Sequence, residues 1–188
     1  MSRLAKKPII LGKDVTVRID GELFIFKGPM GEVKKRLPAA ISIEEKELDA
    51  GAKGVFVSLK KDVRGLKNSS AILGTGASLV RGAVLGVTKG YEKKLMIEGV
   101  GFKAALDGAD LTLSLGFTHP VKIKAEGGVT FKVEKNSILV SGADKEMVGL
   151  LAARIRSKKP VEPYKGKGIF YQGEVIRRKA GKKAVATA

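Results

Sequence analysis

Two Asp-Gly pairs, Asp20-Gly21 and Asp107-Gly108, each lie between short stretches in which apolar and polar residues alternate. No other feature constrains the fold of the chain as much. Asp-Gly tolerates the positive φ angles of a tight hairpin turn, and alternation with a period of two places every second side chain on one face of a strand. Val15, Val17 and Ile19 lead into the first pair, and the apolar beats resume at Leu23 and Ile25. Val100, Phe102, Ala104 and Leu106 lead into the second, with Leu111, Leu113 and Leu115 after it. Both regions are predicted to be half-buried antiparallel hairpins.

The rest of the chain extends this plan twice. After the Gly28-Pro29-Met30-Gly31 turn, Val33, Ile41, Ile43, Val55, Val57 and Leu59 mark further strands. Between Asn68 and Val87 the period changes: Ile72, Leu73, Leu79, Val80 and Leu85 suit a helix that Asn68 or Ser69 would cap, although Gly74, Gly76 and Gly82 weaken it. In the second half, strands at Val129–Val133 and Ile138–Val140 precede a helix whose expected apolar face is Met147, Leu150, Leu151 and Ile155. A shift of 88 residues lays Leu23–Gly28 on Leu111–Gly116 and Val33-Lys34 on Val121-Lys122. Chance similarity between β-rich stretches is the alternative, but the order of elements and the turn positions repeat as well, which favours duplication. The expected fold class is α+β, with two tandem similar domains, each an antiparallel sheet with a helix on one face. The change-over falls near Arg81–Gly90, which gives 1–82, 83–172 and a basic tail 173–188.

Charge narrows the function. The chain carries a formal net charge of +17 over 188 residues, and a net +9 of it falls in the last 36. Such a surface attracts polyanions, nucleic acid first among them. No apolar run approaches the roughly 18–20 residues of a membrane span, and the opening residues lack the apolar centre of a secretory signal. With no cysteine there is neither a disulfide framework nor a thiolate metal site, and a cytoplasmic setting is expected. The single histidine, His119, has no Asp or Glu within four residues and reads as a turn residue. The glycine-rich pieces Gly74–Gly76, Gly99–Gly101 and Lys165–Gly168 lack the remaining positions of nucleotide-binding motifs. A binding protein without cofactor or metal is expected, rather than an enzyme. An enzyme acting on RNA or on a phosphorylated substrate, or a general basic nucleic-acid-binding protein, are the alternatives.

The segment Lys158–Tyr171 holds four lysines, two prolines, two glycines and three aromatics in fourteen residues. Pro160 and Pro163 stop the preceding helix and favour extended backbone, while Gly166 and Gly168 permit close approach. Lys158, Lys159, Lys165 and Lys167 supply charge, and Tyr164, Phe170 and Tyr171 supply flat faces, one of the three being expected in the core. Extended, cationic and aromatic together is the profile of a surface for a phosphate backbone and unpaired bases. Arg177, Arg178 and Lys179 follow as a second basic run, a solvated tail being the plainer reading of them.

Pro163–Ile169, with Pro160-Val161 and Glu162 before it and Tyr171 and Glu174–Lys183 after it, resembles the C-terminal signature of the bacterial large-subunit ribosomal protein L6 family. The opening Ser2–Ile9, the Gly28–Gly31 turn and Ile97–Lys103 are similar to that family too, so the resemblance covers the whole chain. It implies two similar α+β domains and a structural place in the large ribosomal subunit. Partners implied are large-subunit ribosomal RNA, bound mainly through the C-terminal domain near the factor-binding region, neighbouring ribosomal proteins, and translation factors nearby. Carried onto this sequence, the RNA-binding residues are Lys158, Lys159, Tyr164, Lys165, Gly166, Lys167, Gly168 and Tyr171, with Arg177, Arg178 and Lys179 as a second contact. One departure stands out: Phe170 occupies a position that is often arginine in the family, so stacking or packing must replace a phosphate contact there.

Overall fold

The computed structural model describes residues 7–12, 14–21, 23–48, 52–60 and 68–181. Two compact units divide the chain: Met1–Tyr91 together with Ala143–Lys145, and Glu92–Gly142 together with Glu146–Ala188. The expected boundary at 82/83 therefore moves to Tyr91/Glu92, because 82 lies inside a helix, α1 (Ser69–Lys89).

In the first unit β2 (Thr16–Asp20), β3 (Leu23–Gly28) and β4 (Gly31–Arg36) form an antiparallel meander. A second sheet has the order β1–β6–β5, from β1 (Ile9–Ile10), β5 (Ile41–Leu48) and β6 (Ala52–Leu59). Helix α1 lies against β3, β4, β5 and β6. Its buried face is Gly76, Ala77, Val80, Ala83, Val84, Gly86 and Val87, so the expected Leu85 points outward. Gly76 is a packing device here rather than a weakness: a Cβ on it would come within 2.1 Å of Ile41 Cδ1. The Asn68 carbonyl accepts hydrogen bonds from the Ala71 and Ile72 amides, but its side chain makes no cap, contrary to the sequence reading. By length and composition α1 could cross a membrane, contrary to the sequence reading, in which glycine, serine and threonine interrupt its apolar residues. Its apolar face is spent in the core of the unit.

The second unit repeats the arrangement. β8 (Lys103–Asp107), β9 (Asp110–Ser114) and β10 (Val121–Ile123) form the meander. β7 (Tyr91–Glu98), β11 (Thr130–Glu134) and β12 (Ser137–Gly142) stand in the order β11–β12–β7, as β5–β6–β1 do in the first unit. Helix α2 (Lys145–Lys158) buries Val148, Leu151, Ala152 and Ile155. That is an i, i+3, i+4, i+7 stripe, turned from the expected Met147, Leu150, Leu151, Ile155 face, and Leu150 is exposed. One strand has no counterpart among the described residues of the first unit: β13 (Gly168–Tyr171) pairs antiparallel with the free side of β7.

Both hairpins form where Asp-Gly placed them, but two details differ. In β3 the buried beats are Phe24 and Phe26, not Leu23 and Ile25. Leu23–Phe26 is apolar throughout, so the sequence leaves its phase open. Pairing settles it, since Phe26 faces Val17 and Val33 across the sheet. The same one-residue slip entered the repeat. Asp20 pairs with Leu23 and Asp107 with Asp110, so the hairpins correspond at an offset of 87. Phe26 pairs with Val33 and Leu113 with Val121, so by β4 and β10 the offset is 88. The connection after β9 is one residue longer, and a one-residue shift exchanges the faces of a strand. The strand expected from Val100 starts only at Lys103; Val100 and Phe102 lie in a turn closed by the Phe102 amide on the Gly99 carbonyl (3.3 Å).

Candidate nucleic-acid interface

The segment singled out by its composition joins the end of α2 to β13. Three backbone hydrogen bonds shape it. The Ile169 amide donates to the Lys159 carbonyl (2.9 Å), the Glu162 amide to the Lys167 carbonyl (2.8 Å), and the Gly166 amide to the Glu162 carbonyl (3.0 Å). The last two close a small ring through Pro163, Tyr164 and Lys165, which lifts Tyr164 and Lys165 into solvent. Gly168 adopts φ +146°, and a Cβ on it would stand 2.7 Å from the Pro160 carbonyl oxygen and from Val161 Cα. The prolines bring the strand close, and only glycine fits beneath them.

The second basic run folds back onto this ring. The Lys179 amide donates to the Pro163 carbonyl (2.9 Å), and the Arg178 guanidinium lies so close to Gly166 (φ +74°) that a Cβ there would be 2.8 Å from Nε. Arg177, Arg178 and Lys179 are exposed, as a solvated run would be, but are tied to the ring by these contacts; 182–188, including Lys182 and Lys183, lie outside the described residues. Glu174 fixes the base of this return. Its carboxylate accepts from Arg156 Nε (3.2 Å), Arg156 Nη2 (2.5 Å) and the Tyr171 amide (3.1 Å). Those hydrogen bonds, the arginine's first, hold the Glu174 carboxyl below the usual carboxylate range despite partial desolvation. The same pairing raises Arg156 further.

The aromatics divide as follows. Phe170, 8% exposed, is the one that belongs to the core, so it packs there rather than facing a ligand. Tyr164 is exposed. Tyr171 is half-buried, with Lys93 Nζ and the Arg156 guanidinium each 5.7 Å from its ring centroid. Gly166 and Gly168 are buried, while Lys158, Lys165, Arg177, Arg178 and Lys179 are exposed and Lys159 and Lys167 partly so. Among the described residues none of these seven cations makes an ion pair.

Sequence reasoning missed the neighbours of this surface. Lys93 and Lys94 on β7 line a shallow cavity of about 310 Å³ with Tyr171 and Gln172. Their signal, the alternation of Leu95 and Ile97, was there but is cut short by Gly99. Phe102 and Phe117 come together at Lys159 from separate turns, a juxtaposition that no local pattern encodes. His119 is exposed in the bend after β9. Among the described residues no cluster of three His, Cys, Asp or Glu could hold a metal ion.

A repeated α+β scaffold carries, on its second unit, a hydrogen-bonded cationic loop without ion pairs among the described residues, the build of a non-enzymatic scaffold protein with a basic face. Comparison with known proteins gives the family. The family model described as ribosomal protein L6 matches residues 98–172. The chain is 48% identical over 183 residues to large ribosomal subunit protein uL6 of Staphylococcus epidermidis, covering 97% of this chain and 98% of that one. It is 45% identical to uL6 of Gloeothece citriformis and 46% to uL6c of Guillardia theta, with the same coverage. The chain belongs to the ribosomal protein L6 family.

Proposed function

We propose that this protein is a non-catalytic structural constituent of the large ribosomal subunit, and that it binds the subunit's ribosomal RNA mainly through its second unit. The observation that carries this reading is the joining of two basic segments, Lys158–Lys167 and Arg177–Lys179, by the Lys179–Pro163 backbone hydrogen bond and the Arg178–Gly166 contact into one surface whose cations have no acidic partners among the described residues. Uncompensated charge repels itself unless a polyanion neutralises it. A pre-shaped loop also loses little conformational entropy on binding. RNA loops, which display shape and exposed bases, suit such a loop better than a duplex groove does. Lys158, Lys159, Lys165, Lys167, Arg177, Arg178 and Lys179 meet phosphates, Tyr164 meets a base, and Gly166 and Gly168 set the backbone. Tyr171 contributes through the cations gathered at its ring. Neighbouring ribosomal proteins are further partners, and translation factors pass nearby.

The test is a filter-binding titration of full-length protein with deproteinised large-subunit ribosomal RNA at several salt concentrations. Each lost phosphate contact changes the slope of log K against log salt by about 0.7–0.9, so replacing Lys165 and Lys167 together with alanine flattens it by about one to two units. An unchanged slope removes these lysines from the interface.

A further inference from the structure

We infer that Phe117, backed by Phe102 and Lys159, is a stacking platform for one unpaired base of the bound RNA. The inference rests on the reading of the second unit as an RNA interface and extends it to residues outside the basic loop. Phe117 lies in the bend after β9 and is 50% exposed. Phe102 lies in the turn between β7 and β8, beside Val100, which is 86% exposed. Lys159 joins them: its Nζ is 4.7 Å from the Phe117 ring centroid and 5.7 Å from that of Phe102. The Lys159 carbonyl accepts from the Ile169 amide of β13, so the hydrogen bond that shapes the cationic loop also fixes the backbone from which this side chain reaches the rings.

The make-up of the patch selects its occupant. The centre of a protein–protein contact is depleted of charge. Here a lysine sits on the aromatic pair itself, and Lys103 at the start of β8 and Lys158 at the end of α2 are exposed. A half-exposed ring with an adjacent cation matches a nucleotide, whose base offers a π face and whose phosphate takes the ammonium. Stacking accepts any base, so the platform adds affinity and orientation rather than sequence readout.

The experiment uses the full-length protein and deproteinised large-subunit ribosomal RNA, with Phe117→Ala, Phe117→Leu and Phe117→Trp beside the Lys165→Ala, Lys167→Ala double variant. Loss of one stacked base weakens binding about five- to hundredfold. Phe117→Ala and Phe117→Leu are expected to show that loss at an unchanged salt slope, and Phe117→Trp to bind as the natural chain does. Leucine keeps the apolar volume without the π face, so it remains informative if alanine disturbs the bend. Wild-type affinity in Phe117→Leu, with the lysine variant still impaired, overturns the platform and leaves the RNA interface standing. The same holds if Phe117→Leu binds RNA normally but subunits assembled with it lose a neighbouring protein, which would make the patch a protein contact. If the natural chain does not bind the RNA at all, both readings fall.

Discussion

Gly166 and Gly168 differ in what an added methyl group would strike, and that difference separates binding from stability. At Gly168 the obstacle is backbone, Pro160 and Val161, at a φ that L side chains rarely adopt. Gly168→Ala is expected to cost about 1–3 kcal/mol from backbone strain alone, read as a lower urea midpoint at unchanged m-value. At Gly166 the obstacle is the guanidinium of Arg178, which can swing aside. Gly166→Ala is therefore expected to lose less stability than Gly168→Ala but to weaken RNA binding, because Arg178 leaves its place. The opposite order in urea titrations would show that the loop is not held as described. Glu174 adds a pH dependence of definite sign. Its folded-state pKa is lowered, chiefly by the hydrogen bonds from Arg156, so its contribution is complete above its unfolded pKa and is lost as pH falls through the lower folded value. The stability difference between the natural chain and Glu174→Gln should thus be constant near neutrality and shrink below about pH 4. A difference that grows on acidification would contradict the assignment.

The elements show which features a sequence can carry alone. Asp20-Gly21 and Asp107-Gly108 were legible as hairpins because the turn chemistry is local and the flanking residues alternate. The phase of Leu23–Phe26 was not, because four consecutive apolar residues satisfy either face and only pairing with Val17 and Val33 decides. β13 was hidden for another reason. Gly168–Tyr171 follows a proline- and glycine-rich stretch that reads as loop, and its strand character comes from β7, seventy residues earlier. Composition was enough to single out the loop's lysines as candidates, whereas the return of Arg178 onto Gly166 depends on a tertiary contact. That return makes a prediction at its own scale. Deleting residues 173–188 removes the Glu174 anchor, the Arg178 contact and the Lys179 hydrogen bond together. Amide exchange at Glu162 and Gly166 is expected to accelerate, while Leu111 and Leu113 in the buried strand β9 keep their protection. Unchanged exchange in the loop would mean that the prolines and Gly168 alone hold it.

For the molecule as a whole, duplication explains both what repeats and what does not. Each unit has a meander, a second sheet of matching strand order and a helix, and the offset passes from 87 to 88 across one longer connection. The added strand β13, and the cationic loop that leads to it, belong to the second unit only. The proposed function falls on the unit that carries this extra edge strand, and the charge of the chain is concentrated there too. The two cores should then be separable in their effects. Phe26 is fully buried in the first unit and Ile169 in the second. Phe26→Ala is expected to cost about 3–5 kcal/mol and Ile169→Ala about 2–5 kcal/mol. Substitutions remote from a site act on it independently to within a few tenths of a kcal/mol, so Phe26→Ala should leave RNA affinity within about twofold of the natural chain under conditions where it is folded. Ile169→Ala should weaken binding as well as stability, because the buried Ile169 side chain seats β13, whose backbone amide at 169 holds Lys159 in the loop. Urea unfolding followed by filter binding on the same preparations separates the outcomes. Equal loss of binding in both variants would mean that the first unit shares the RNA interface, and the charge asymmetry would then need another explanation.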